Sequence, residues 1–183
     1  MIEIKNVSKT YNGNIKAIDN LNLKINDGEI VGFIGLNGAG KTTAIKMMTG
    51  ILVPDTGTIT INGYDIVKDS LKAKQIIGYI ADNPDMFLKL TGIEFINFIA
   101  NIYKVPVTLR KKRIKLFGER FGLSDVLDKP MQGYSHGTRQ KMMVVAALVH
   151  DPAVWILDEP LIGLDPTSAF ELKKMMREHA DKG

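Results

Sequence analysis

The residues equipped for chemistry gather first at Gly35-Leu36-Asn37-Gly38-Ala39-Gly40-Lys41-Thr42-Thr43. A glycine, four residues and then Gly-Lys-Thr is the spacing of a phosphate-binding P-loop. Phosphate is bulky and anionic, so a backbone that binds it must wrap closely around it. Gly35, Gly38 and Gly40 permit that approach and the positive φ angles it demands. The loop N–H groups, those of Asn37, Ala39 and Thr43 among them, then turn inward toward the anion. Lys41 supplies a mobile cation for β- and γ-phosphates, and Thr42 a hydroxyl for Mg²⁺. The apolar run Glu29-Ile30-Val31-Gly32-Phe33-Ile34 stands before the loop and Ala44-Ile45-Lys46-Met47-Met48 after it. The expected order is therefore strand, glycine turn, helix, with the positive end of the helix dipole facing the phosphate.

A second candidate is Asp158-Glu159, directly after Val154-Trp155-Ile156-Leu157. An unbroken apolar run of that length reads as a strand buried on both faces. Ligands of open α/β sheets bind at the carboxyl ends of the strands. An acid at that place in a P-loop protein completes the Mg²⁺ shell, which is the role expected of Asp158. Glu159 is then placed to orient or deprotonate an attacking water.

The elements that must position these groups follow from periodicity and punctuation. Ile2-Glu3-Ile4-Lys5-Asn6-Val7 and Leu21-Asn22-Leu23-Lys24-Ile25 alternate as half-buried strands, joined through a turn-rich stretch from Lys9 to Asn14. The helix after the P-loop is expected to stop near Thr49-Gly50, with glycine as its cap. Thr58 to Ile61 reads as a strand closed by Asn62-Gly63, Lys68 to Lys74 as a short helix, and Ile76 to Ala81 as another strand. From Thr91 to about Val126 the pattern is helical, and Pro106 divides it. Ser135 is placed to cap a long helix from His136 to His150. A last helix runs from Pro166 to about Ala180. Strands alternating with helices predict an α/β fold with a mostly parallel sheet. The early hairpin-like strands predict a separate antiparallel subdomain. The expected division is an antiparallel β and P-loop core over 1–81, a helical insertion over about 82–150, and the rest of the core over 151–183.

The 183 residues are 45% hydrophobic and 24% charged, which suits one globular domain with a well-buried core. There is no cysteine, so disulfide and thiol chemistry are excluded. No apolar stretch reaches membrane-spanning length and Met1-Ile2-Glu3 opens no signal peptide, so a cytoplasmic protein is expected. Net charge is +4, with one basic cluster at Arg110-Lys111-Lys112-Arg113 that reads as a solvated helix face rather than a nucleic-acid or lipid patch.

Over essentially its whole length the chain resembles the nucleotide-binding subunit of an ABC transporter. Gly35 to Thr43 matches the Walker A motif, Val154 to Asp158 the Walker B, and Leu164-Asp165 the D-loop. Tyr134-Ser135-His136-Gly137-Thr138-Arg139-Gln140-Lys141 matches the signature segment, which other P-loop families lack. Its Ser135 and Gly137 are kept, while Tyr134, His136 and Thr138 depart from the usual Leu-Ser-Gly-Gly-Gln in the manner of exporter-type subunits that work with a separate membrane protein. The resemblance implies that Tyr11 stacks on adenine, that Glu159 is the catalytic glutamate, and that Ser135 and Gly137 bind the nucleotide of a neighbouring copy. Asp82 stands where the family has a glutamine that touches Mg²⁺ and the membrane partner. The family's switch histidine follows one more strand. The chain stops at Gly183, and His136, His150 and His179 stand elsewhere. The domain is therefore expected to be incomplete at its C-terminus, with weak or no hydrolysis by these residues alone and hydrolysis at full length.

The resemblance thus implies ATP and Mg²⁺ as cofactors. The partners expected are a second ATP-binding subunit, in a homodimer, and an integral membrane permease, with no nucleic acid. The expected location is the inner face of the cell membrane. The helical insertion, hinged at Asp82 to Met86, would pass closure of the dimer to the permease, and Met86 and Phe87 are candidates for the docking surface. Three other readings compete: an ABC-type ATPase acting on the ribosome or nucleic acid, a small-molecule kinase, against which the signature segment argues, and a nucleotide-binding module with no hydrolysis.

Overall fold

The computed structural model describes residues 1–83 and 87–183. The chain forms two compact units, residues 1–77 with 176–183 and residues 78–175.

In the first unit the alternation of apolar residues produces an antiparallel sheet. Strands β1 (Ile2–Tyr11), β2 (Ile15–Ile25), β3 (Thr56–Ile61) and β4 (Tyr64–Asp65) lie in the order β2-β1-β3-β4. Ile2 pairs with Ile61 and Ile4 with Ile59, and all four are buried. Such directly opposed apolar pairs fix the register, because a slip of one residue would turn them all to solvent. Asn62 (φ 47°) and Gly63 (φ 82°) make the tight turn between β3 and β4, where both central residues need positive φ. Helix α1 (Lys41–Met48) packs against β2 and β3 and buries Ala44, Ile45, Met47 and Met48. It ends as expected, with Thr49 as C-cap and Gly50 at φ 66°. A short helix α2 (Ser70–Gln75) follows.

One expectation of this unit is not met. The apolar run from Glu29 to Ile34 is not a strand: among the described residues none pairs with it, and Ile34 is 98% exposed. A strand is held by its ladder and by a covered face. Here the run has neither.

In the second unit β5 (Ile77–Ile80) and β6 (Val154–Leu157) form a two-stranded parallel sheet. The fold is thus of the α/β class with an N-terminal antiparallel sheet, and its parallel part has two strands among the described residues. With β5 as its one partner among the described residues, β6 buries Ile156 alone and leaves Val154, Trp155 and Leu157 half-buried, so the expected burial on both faces is not realised.

The helices are α3 (Gly92–Ile102), α4 (Val107–Arg120), α5 (His136–Leu148) and α6 (Pro166–Ala180), of which α5 is the central one. Gln140 and every residue from Met142 to Leu148 are buried, so α5 is covered all round. The break at Pro106 separates α3 from α4 as expected. Thr91 and Glu94 form a reciprocal capping box at the start of α3. The basic cluster on α4 is partly consumed inside the unit. Arg110 donates to Asn97, Asn101 and the Val105 carbonyl, and Arg113 to the Val149 carbonyl and Asp151.

Candidate functional site

The phosphate-binding half lies in the first unit. Gly38 and Gly40 have φ of 83° and 84°, and Gly40 is the N-cap of α1. A Cβ on Gly40 would lie 2.4 Å from the Ala17 carbonyl oxygen, so β2 leaves room for glycine alone. A Cβ on Gly38 would meet nothing within 4 Å, so there the requirement is conformational. Lys41 folds back into the loop and donates from Nζ to the carbonyls of Gly35 (2.7 Å) and Leu36 (2.9 Å). The cation is thereby held over the loop that carries Asn37 and Ala39, with Thr43 in the first turn of α1. Thr42 stands in the first turn of α1, half-buried. Tyr11 ends β1 opposite Ile15 with its ring partly exposed.

The acidic half lies in the second unit. Asp158 is only 4% exposed, and its N–H donates to the Ile80 carbonyl at 2.9 Å. That bond sets the ends of β5 and β6 side by side, so Asp82, two residues beyond Ile80, shares a sheet edge with Asp158. Both carboxylates act on Tyr79: burial first, then the charges of Asp158 and Asp82, push its phenol up to about 12. Glu159 follows at φ 49°, a left-handed backbone that a residue with a side chain adopts at a cost of about 1–2 kcal/mol. Such strain persists where surroundings over-determine it, and it clusters at functional sites.

The signature segment is also in the second unit. Ser135 caps α5, its Oγ accepting from the Thr138 N–H at 3.2 Å and lying 2.8 Å from the Thr138 hydroxyl. The departures of this segment have local reasons. Tyr134 is buried and its hydroxyl donates to the carbonyls of Val126 and Lys129, tying the preceding turn to the start of α5. Thr138 gives Ser135 a second partner. An open groove of about 670 Å³ flanks Ser135, bordered by Lys129, Gln132, Tyr134 and Thr138. A Cβ on Gly137 would lie 2.4 Å from the Gly163 carbonyl oxygen, which explains a glycine inside a helix.

The structure therefore gathers Tyr11 and residues 35–43 in one unit, and Asp82, Ser135, Gly137, Asp158 and Glu159 in the other. Of the expected docking residues, Met86 lies outside the described residues. Phe87 is partly exposed and packs against Phe95 and Phe98, each with ring centroids 5.5 Å away. Sequence reasoning gave no role to Gly163 or Lys141. A glycine between Ile162 and Leu164 was the one visible signal, and its partner on α5 is a matter of tertiary proximity.

A glycine loop closed by its own lysine, on an α/β scaffold, places the chain among P-loop nucleotide-binding proteins. The ABC transporter family matches residues 18–162. The chain is 40% identical over 182 residues to the uncharacterized ABC transporter ATP-binding protein YhcH of Bacillus subtilis, covering 97% of this chain and 58% of YhcH. It is 36% identical over 165 residues to the ABC transporter ATP-binding protein NatA of Bacillus subtilis, covering 90% of this chain and 67% of NatA. A solved ATP-binding subunit of an ABC transporter superposes with a TM-score of 0.94 at 32% identity, covering 100% of this chain and 76% of the other. The chain belongs to the ABC transporter family, in which its relatives are ATP-binding proteins. It spans little more than half the length of YhcH.

Proposed function

We propose that this chain belongs to an ATP-hydrolysing subunit that powers transport of a substrate across a membrane through a partner permease, with ATP held between two copies. The observation that carries the reading is the P-loop itself. Lys41 already lies over the loop, bonded to the carbonyls of Gly35 and Leu36, and an incoming phosphate exchanges those neutral partners for a charged one. Residues 35–43 bind the phosphates and Tyr11 stacks on the adenine. Thr42, Asp158 and Asp82 are oxygen donors of the hard kind that suits Mg²⁺, and that ion, when bound, neutralises charge on the phosphates. Ser135 and Gly137 meet the nucleotide on the second copy, where the Ser135 cap and the α5 dipole favour an anion.

Glu159 accepts the proton of the water that attacks the γ-phosphate. Most of the remaining catalysis is positioning and charge stabilisation. The helical segment over about 82–150 passes closure of the pair to the permease, and Phe87 contributes to its docking surface. Among the described residues no helix is long and apolar enough to cross a membrane. The subunit is proposed to sit at the inner face of the cell membrane, beside the permease.

The decisive experiment uses the protein at full natural length. Glu159→Gln should lower ATP turnover by about 100-fold or more while retaining nucleotide-dependent dimers in light scattering. Turnover that survives the substitution removes Glu159 from the role of base. Co-purification of the wild-type protein with a multi-span membrane protein supports the transport reading, and co-purification with ribosomes or RNA replaces it.

A further inference from the structure

The loop 159–165 runs from Glu159 to the start of α6 along the first two turns of α5. Four α5 side chains or sites touch it, at positions 136, 137, 140 and 141, which share one helix face. The His136 ring covers Gly163 so closely that a Cβ there would lie 2.3 Å from its Cδ2. Gly137 meets the Gly163 carbonyl. Gln140, buried, donates from Nε2 to the Pro160 carbonyl at 3.4 Å. Lys141 Nζ reaches Asp165 Oδ2 at 2.9 Å, with the lysine side chain only 17% exposed.

Asp165 in turn accepts from the Ser168 N–H (2.9 Å) and hydroxyl (2.7 Å), which caps α6. Inside the loop the backbone bonds are few: Ile162 N–H to the Glu159 carbonyl at 3.1 Å and Leu164 N–H to the Leu161 carbonyl at 3.3 Å. A loop with so little internal structure takes its shape from its anchors. Its first residue, Glu159, is held at φ 49°, and its last, Asp165, is held by the one ion pair that joins the loop to α5 among the described residues.

We propose that Lys141 is a positioning residue for hydrolysis: through Asp165 it fixes loop 159–165 on α5 and so sets the direction of the Glu159 carboxylate. This rests on the reading of Glu159 as the base. Charge-assisted pairs of this kind carry geometry as well as energy, and small misplacements of a catalytic group cost large factors in rate. Lys141 reaches the base only by way of Asp165 and the loop, so its effect is expected on the turnover step rather than on binding.

The test replaces Lys141 in the full-length protein. Lys141→Met keeps the aliphatic stem and removes the charge. It should lower kcat about 10-fold or more, leave KM for ATP unchanged within about two-fold, and raise hydrogen exchange of the amides from Leu161 to Asp165. Lys141→Arg should restore both. Unchanged loop exchange in Lys141→Met, wild-type kcat, or failure of arginine to recover either readout overturns the proposal. Should Glu159→Gln keep full turnover, the base assignment falls, whereas the exchange comparison still reports whether Lys141 holds the loop.

Discussion

At the scale of single residues, two glycines of the same loop separate conformational strain from close packing. Gly38 and Gly40 share nearly the same φ, yet a Cβ on Gly38 meets open space and one on Gly40 meets the Ala17 carbonyl. Gly38→Ala should therefore cost only the left-handed backbone penalty, about 1–2 kcal/mol. Gly40→Ala adds a collision with backbone that cannot move without shifting β2. It should cost more than Gly38→Ala, at or above the roughly 1–3 kcal/mol of a strained site, and weaken nucleotide binding further. Urea denaturation of both variants, with titration by a fluorescent ATP analogue, checks the order. Equal costs would mean that β2 does not press on the N-cap of α1.

At the scale of elements, the pairing of β5 with β6 brings two carboxylates to one sheet edge, and Tyr79 on β5 registers them. Its ordinary value is near 10 and the folded value about 12. A phenol whose folded value is raised stabilises the fold fully below pH 10, and that stabilisation is lost as pH rises toward 12. Ultraviolet titration should show Tyr79 ionising late, alongside Tyr103 and Tyr134, whose phenols burial also pushes up. Asp82→Asn should lower the Tyr79 midpoint only slightly, because burial is the largest cause and Asp158 remains. A midpoint back near 10 in Asp82→Asn would make charge the main cause. The same elements show what periodicity and punctuation record. The Ser135 cap, the break at Pro106, the stop at Gly50 and the P-loop spacing are local, since each is decided by residues within a turn or two. The grip of α5 on loop 159–165 depends on Gly137 and Lys141 meeting residues more than twenty positions away, and no window of sequence contains both sides. Strand character at residues 29–34 failed for a related reason: an apolar run reports that a segment wants cover, not that a neighbouring strand exists to pair with it.

At the scale of the molecule, that same run departs from an ordinary surface. Ile30, Val31, Ile34 and Leu36 are all exposed, Ile34 almost completely, within seven consecutive positions that lead into the phosphate loop. In residues 1–183 studied by themselves, the amides from Ile30 to Ile34 have no ladder and should exchange near the unprotected rate. Those of β1 and β3 should exchange at least about 1000-fold more slowly, on the scale set by global stability. A buried isoleucine replaced by lysine loses its apolar burial and strands a charge, which costs several kcal/mol. A solvated one costs within about 0.5 kcal/mol. Ile34→Lys in the 183-residue span should therefore leave the denaturation midpoint nearly unchanged. A loss of about 2 kcal/mol or more would place Ile34 in a core and restore the strand that its sequence pattern suggests.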